Sequence, residues 1–130
     1  MRILVETETA RLAAEHASAA QLGDLDDIIR RERATERSNV NALVELDFEF
    51  HLLISIASDN MAYPLILNSF KTVYTHFTSA FYSQTAESSI IDEVFTQQSQ
   101  LVEALKKGNP DECAEKMKAM LLHGERHLKI

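Results

Sequence analysis

The sequence predicts an all-α fold, an antiparallel bundle of about six helices in a single domain over residues 1–130. Apolar residues recur at helical spacing along most of the chain, and no segment shows the alternation of a strand. The chain has only three glycines and two prolines. Such a scarcity of helix breakers favours long helices with short connections.

The first two predicted helices are separated by a capping signal. Residues 2–17 have apolar residues at helical spacing and are expected to form the first helix. Ser18 followed by Gln21 is a capping-box pattern, which predicts the start of a second helix. The alternating charges of that helix are typical of a solvated face.

The middle of the chain predicts two more apolar helices. The third is expected over residues 40–57. A turn cluster at residues 58–60 precedes a fourth helix over residues 61–82, with Pro64 accommodated in its first turn. The residues expected in the core from this fourth helix are Leu65, Ile66, Phe70, Val73, Phe77 and Phe81.

The last two predicted helices have the clearest boundaries. The fifth is expected over residues 90–107, where Gly108 stops it. Asn109 and Pro110 then combine an N-cap with a proline at the first helical position. The sixth helix is therefore predicted to run from Pro110 to near Ile130.

Composition and missing motifs exclude several classes of function. The net charge of −7 argues against nucleic-acid binding by this chain itself. No apolar run is long enough to span a membrane. Without a signal-peptide pattern, and with the single Cys113, the chain is expected to be cytoplasmic. It has no Gly-rich phosphate loop, nucleophile elbow or Cys-x-x-Cys motif, so we predict no enzymatic activity.

The main functional indication is a polar pair in the apolar third helix. Asp47 and His51 are four residues apart and should project from the same helix face. Burying them without partners would be costly, so a metal, a ligand or each other must satisfy them. The spacing alone favours an internal Asp–His hydrogen bond. His76 on the fourth helix is a candidate for the same interior space, whereas His123 and His127 are predicted at a solvated chain end.

Four sequence motifs resemble those of one protein family. Residues 2–14 resemble the pattern R-x-x-x-E-x-x-x-A-x-x-A-A, and residues 46–51 contain the pattern D-x-x-F-H, with Phe50 directly before His51. Residues 57–60 match A-S-x-N, and residues 104–113 match A-[IL]-x-x-G-[DN]-P-x-x-[AC]. With these motifs in this order, the chain resembles the C-terminal effector-binding domain, of the FCD type, of FadR-subfamily GntR transcription regulators. The resemblance implies a bacterial ligand-sensing domain whose N-terminal winged helix-turn-helix is absent from this chain.

The resemblance also implies a buried metal site that holds a small carboxylate. Asp47 and His51 keep the first two ligand positions, but Gln98 and Met120 stand where the family pattern has imidazoles. An amide oxygen and a thioether are poor ligands for zinc-like ions. We therefore expect a degenerate site, with no firmly held cofactor and at most a weakly bound divalent metal. His123, one turn beyond Met120, is a candidate replacement ligand.

The function implied by the resemblance is sensing of a small carboxylate or acyl-CoA-like effector in the bundle cavity. The residues expected to contact the effector are Asp47, His51, Gln98, Met120, His76 and Arg2. Two alternatives stay open: a metal-binding bundle or metalloenzyme, and a structural dimerisation module. The expected partners are the effector and a second copy in a homodimer, while DNA would be reached only through the missing N-terminal domain.

Overall fold

The computed structural model describes residues 2–128, which form seven α-helices and no strand. The all-α prediction is confirmed. The helices are α1 (Arg2–His16), α2 (Ala19–Ala34), α3 (Val40–Ala57), α4 (Ala62–Ser69), α5 (Lys71–Thr85), α6 (Ile90–Lys107) and α7 (Pro110–His127). The expected end of the last helix near Ile130 lies outside the described residues. Within residues 2–128, no helix has the length and hydropathy needed to cross a membrane.

Local capping signals place several of the helix ends. The Ser18 side chain accepts a hydrogen bond from the Gln21 amide, and the Gln21 side chain accepts one from the Ser18 amide at 2.9 Å. This reciprocal pair confirms the predicted capping box. Asn109 caps α7 ahead of Pro110. Gly108 ends α6 with a φ of 70°, a left-handed conformation that glycine adopts without steric cost.

The predicted fourth helix is two helices in the structure. The backbone leaves the α-helical region at Phe70, where φ is −104° and ψ is 11°, between α4 and α5. Neither glycine nor proline occurs at this break, so the apolar pattern alone gave no sign of it. The bundle therefore has seven helices rather than about six.

Helix α3 is the central element of the bundle. It packs against α1, α2, α4 and α5, while α7 packs against α1 and α6. Its buried side chains include the large apolar residues Leu43, Phe48, Phe50 and Ile54. The buried polar side chains of α3, which are Asp47, His51 and Ser55, are thus enclosed by the surrounding helices.

The core assignment for the predicted fourth helix is largely wrong. Of the six residues expected there, Phe81 is buried and Ile66 is half-buried. The other four contribute, together with Met61, to what we call the outer apolar face: Met61, Leu65, Phe70, Val73 and Phe77. The reason is that the buried side of α5 carries Tyr74, Thr78 and Tyr82, spaced four residues apart, which leaves Val73 and Phe77 on the exposed side.

Candidate functional site

Asp47 and His51 are both buried on α3, with 6% and 3% of their surfaces exposed. His51 Nε2 lies 3.8 Å from Asp47 Oδ1, which is too far for a hydrogen bond. The internal Asp–His bond favoured by the spacing is therefore not formed. Other helices supply closer partners to each side chain.

The partner of His51 is a carboxylate on α1. Glu6 Oε1 lies 2.5 Å from His51 Nδ1, so the carboxylate and the imidazole are in direct contact. The Arg2 guanidinium bonds the other oxygen of Glu6. Burial opposes ionisation of Glu6, but its interactions with His51 and Arg2 outweigh burial and lower the pKa of Glu6 to about 2. Glu6 is therefore a buried anion near neutral pH.

The partners of Asp47 are two tyrosines on α5. The Tyr74 hydroxyl donates to Asp47 Oδ2 at 3.2 Å, and the Tyr82 hydroxyl donates to Asp47 Oδ1 at 3.3 Å. Burial, together with the Asp47 carboxylate, raises the pKa of both phenols well above the ordinary value. Both hydroxyls therefore remain protonated donors. Arg2 also bonds the Tyr74 hydroxyl and lies over the Tyr74 ring, 3.9 Å from its centroid.

A second buried polar pair lies between α2 and α6. Gln98 Nε2 donates to Glu32 Oε1 at 3.3 Å, and both side chains are almost fully buried. Burial, and to a lesser extent the charge of Asp47, raises the pKa of Glu32 to about 9. Glu32 is therefore a neutral carboxylic acid at pH 7. Gln98, which was expected to face Asp47 and His51, has this acid as its hydrogen-bond partner.

A cavity of about 320 Å³ lies beside the α1–α3–α5 network. Its polar end is formed by Arg2, Asp47, His51 and Tyr82. The other lining residues are mainly apolar: Ile3, Phe77, Thr78, Phe81, Val94, Met120, Leu121, Gly124, Glu125 and Leu128. The structure thus brings four of the predicted contact residues, Arg2, Asp47, His51 and Met120, to one space.

Three other predicted residues lie elsewhere. His76 is exposed on α5, and neither His76 nor Gln98 lines the cavity. His123 is buried rather than solvated, because the C-terminal part of α7 packs on α6, and its Nε2 lies 2.8 Å from Glu93 Oε2. His123 is absent from the cavity lining, so it does not join Asp47 and His51 there.

The residues around Asp47 and His51 do not fit a tightly bound transition metal. Both oxygens of Asp47 accept tyrosine hydroxyls, and the Arg2 guanidinium already supplies positive charge to Glu6. Met120 offers only a thioether, which is a poor zinc ligand. Among the described residues, no third histidine, cysteine or carboxylate joins Asp47 and His51 at metal-ligand spacing.

Four residues of the α1–α3–α5 network and the second polar pair were not anticipated from the sequence: Glu6, Glu32, Tyr74 and Tyr82. A weak signal existed for three of them. Arg2 and Glu6 are four residues apart on α1, and Tyr74 and Tyr82 are eight apart on α5, so each pair lies on one helix face. No sequence signal distinguished Glu32 from the exposed charges around it.

Comparison with known proteins gives one family and one fold. The model of the FCD domain family matches residues 1–123. No curated protein sequence matches the chain significantly. Six chains of solved structures match, among them E. coli McbR/YncC, with a TM-score of 0.79 and 16% sequence identity. That match covers 98% of this chain but 63% of the McbR/YncC chain, and at this identity it shows the fold alone.

Proposed function

Because the chain belongs to the FCD domain family, we propose that it is the effector-binding domain of a GntR-type transcription regulator. The observation that carries this proposal is the cavity, which has a charged, hydrogen-bonded end and mainly apolar walls. Ligand pockets in proteins commonly have this composition, with a few placed polar groups that fix the orientation of the ligand. The proposed role is binding without chemical conversion.

The proposed effector is a small carboxylic acid with an apolar body. Arg2 is the cationic group at the polar end, and its side chain is 40% exposed. A guanidinium has five N–H donors, so donors remain after its bonds to Glu6 and Tyr74. A planar carboxylate could accept from them in a bidentate manner, while its apolar part contacted Phe81 and Leu121.

Size favours this class over an acyl-CoA. The cavity of about 320 Å³ is at the lower end of the range of about 300–1,000 Å³ for ligand pockets. An acyl-CoA would have to keep its nucleotide outside. A small acid would fit within the cavity, with both its head and its body in contact with the protein.

Ligand binding would act on the arrangement of the helices. The cavity is lined from α1, α3, α5, α6 and α7, so an enclosed molecule would contact several elements at once. Differential affinity for two arrangements is what allows an effector to shift an equilibrium. We propose that DNA is bound by an N-terminal winged helix-turn-helix of the full-length protein and not by this acidic domain.

We also propose that the domain forms a homodimer through the outer apolar face. Leu65 and Val73 in this face are 62% and 56% exposed. Phe70, Val73 and Phe77 of this face border one pocket, and exposed apolar patches mark interaction sites in soluble proteins. A self-complementary patch would give the two-fold symmetric dimer that is the commonest oligomer.

The test of effector binding uses small mono- and dicarboxylic acids and the matching amides. Thermal-shift measurements followed by calorimetry should identify an acid that binds while its amide does not. Arg2→Gln should weaken binding of that acid, whereas Arg30→Gln, on the exposed side of α2, should leave it unchanged. If no acid stabilises the chain, a structural dimerisation module becomes the better interpretation. Consumption of the bound acid would instead indicate an enzyme.

A further inference from the structure

We propose that Glu93, His123 and His127 form a binding site for a divalent transition metal of the zinc type. His123 and His127 are four residues apart near the end of α7, so both imidazoles lie on one helix face. Glu93 lies in the first turn of α6, which packs against α7. Two imidazoles and one carboxylate form a donor set that zinc uses when it keeps a fourth position open.

The distances between the three side chains are close to those that a metal requires. One ligand atom from each residue can be chosen so that all three lie within 4.8 Å of one another. Two ligands of a tetrahedral zinc, each about 2.0–2.1 Å from the ion, lie roughly 3.4 Å apart. Glu93 is exposed and His127 is half-buried, so modest side-chain rotations can close the set around an ion.

The Glu93 contact alone does not account for the environment of His123. This imidazole is 8% exposed, and its Nε2 faces Glu93 Oε2 at 2.8 Å. Its Nδ1 is buried and has no hydrogen-bond partner among the described residues. A buried polar atom without a partner is costly in a folded protein. The orphaned ring nitrogen therefore points to a ligand at this imidazole beyond the Glu93 contact.

The proposed site is separate from the Asp47–His51 network and independent of the proposed effector. None of its three residues lines the cavity, but Val94 and Gly124, their immediate neighbours in sequence, do. A metal here would tie the start of α6 to the end of α7 and thereby stiffen one wall of the cavity. The group bound at the open position would be water or a small anion.

The test is titration of the tag-free chain with Zn²⁺ in competition with a chromophoric chelator, and with Co²⁺ followed by visible absorption. The wild type should bind one ion per chain, and tetrahedral Co²⁺ should give visible bands. His127→Ala and Glu93→Gln should each weaken binding about tenfold or more, since even loss of an outer-shell partner costs about 10–100-fold. Circular dichroism should show that both variants remain helical.

Control variants distinguish this site from other histidines. His76→Ala and His16→Ala remove exposed imidazoles elsewhere and should bind Zn²⁺ as the wild type does. His51→Ala should also retain the metal, whatever its effect on a carboxylic acid effector. Absence of Zn²⁺ and Co²⁺ binding by the wild type, equal binding by His127→Ala, or loss of binding in His51→Ala would each overturn the proposal.

Discussion

Glu6 on α1 lies 2.5 Å from His51 on α3, so the buried imidazole is paired with a carboxylate from another helix. Asp47, its neighbour one turn earlier, is occupied by tyrosine hydroxyls. The pair therefore connects two helices that are far apart in sequence. The negative charge of Glu6 thus lies next to His51, which lines the cavity, although Glu6 itself does not.

Replacing Glu6 with Gln should destabilise the fold strongly. Glu6 and His51 are both almost fully buried, and breaking a buried pair by removing one partner costs about 3–5 kcal/mol. Urea unfolding should show a loss of this order. Glu8→Gln is the matched control, because its ion pair with Arg11 at 3.5 Å is partly exposed and such pairs contribute about 0–1 kcal/mol. A loss no larger than that of the control would contradict the burial of Glu6 as an anion.

The stability of the protein should fall as the pH rises from about 5 to about 9, in part because of Glu32. Its pKa is raised from 4.5 to about 9 by burial. The folded state therefore holds this proton more tightly than the unfolded chain, and the resulting stabilisation is complete below pH 4.5 and lost as the pH approaches 9. The contribution of Glu6 to stability has the opposite pH dependence. Because the pKa of Glu6 is lowered from 4.5 to about 2, its contribution is complete above pH 4.5 and is lost as the pH falls towards 2.

Glu32→Gln should remove the alkaline part of this dependence. The variant should gain stability relative to the wild type as the pH rises, and the gain should be larger at pH 8.5 than at pH 5.5. Denaturant unfolding at both values measures it. Glu36→Gln, at an exposed position just beyond α2, provides the control. A difference from the wild type that is equal at both pH values would show that Glu32 is ionised in the folded protein.

Gly124→Ala should stabilise the domain while it reduces the cavity. Gly124 lies within α7, and an added Cβ would meet nothing within 4 Å. Alanine in a helix is favoured over glycine by about 0.5–1 kcal/mol, so the melting temperature should rise. Gly23→Ala in α2 should give a similar rise, since the space around it is also open. Only the change at Gly124, which lines the cavity, should alter the affinity for a bound acid.

Val73→Glu should convert the proposed dimer to a monomer. A charge at Val73, which is 56% exposed within the outer apolar face, would have to be desolvated on association, and this is unfavourable without a partner. Light scattering after size exclusion measures the mass. Ile56→Glu changes a comparably exposed apolar residue on α3 and should leave the mass unchanged. A wild type that is already monomeric at high concentration would contradict the dimer.

Sequence patterns predicted the elements well where the signals are local. The capping box at Ser18 and the Asn109–Pro110 start of α7 both depend on neighbouring backbone groups, and both occur as expected. The break at Phe70 has no local signal of this kind. The apolar residues around Phe70 predicted a helix buried in the core. Which residues are buried depends, however, on the face of α5 that packs against α3, and that helix buries Tyr74 and Tyr82.

The candidate site was predicted in part for a similar reason. The spacing of Asp47 and His51 predicted that both side chains lie on one face of α3. Their partners could not be predicted in this way, because they come from whichever helices pack against that face. Glu6 lies 45 residues before its partner His51, and Tyr74 lies 27 residues after its partner Asp47, so neither belongs to the periodic pattern of α3. The partner of Gln98 was missed for the same reason, because Glu32, which accepts its hydrogen bond, lies on α2 and is 66 residues away in sequence.

The position of the cavity along α7 has a consequence for local unfolding. Five of its lining residues, from Met120 to Leu128, occupy the final turns of α7 and the residue that follows them. Helix ends open more readily than helix centres, so backbone amides there should exchange with deuterium early. An enclosed ligand would be lost on each opening and would therefore slow that exchange. Amide exchange in this segment should thus report occupancy of the cavity even for ligands too weak to shift the melting temperature.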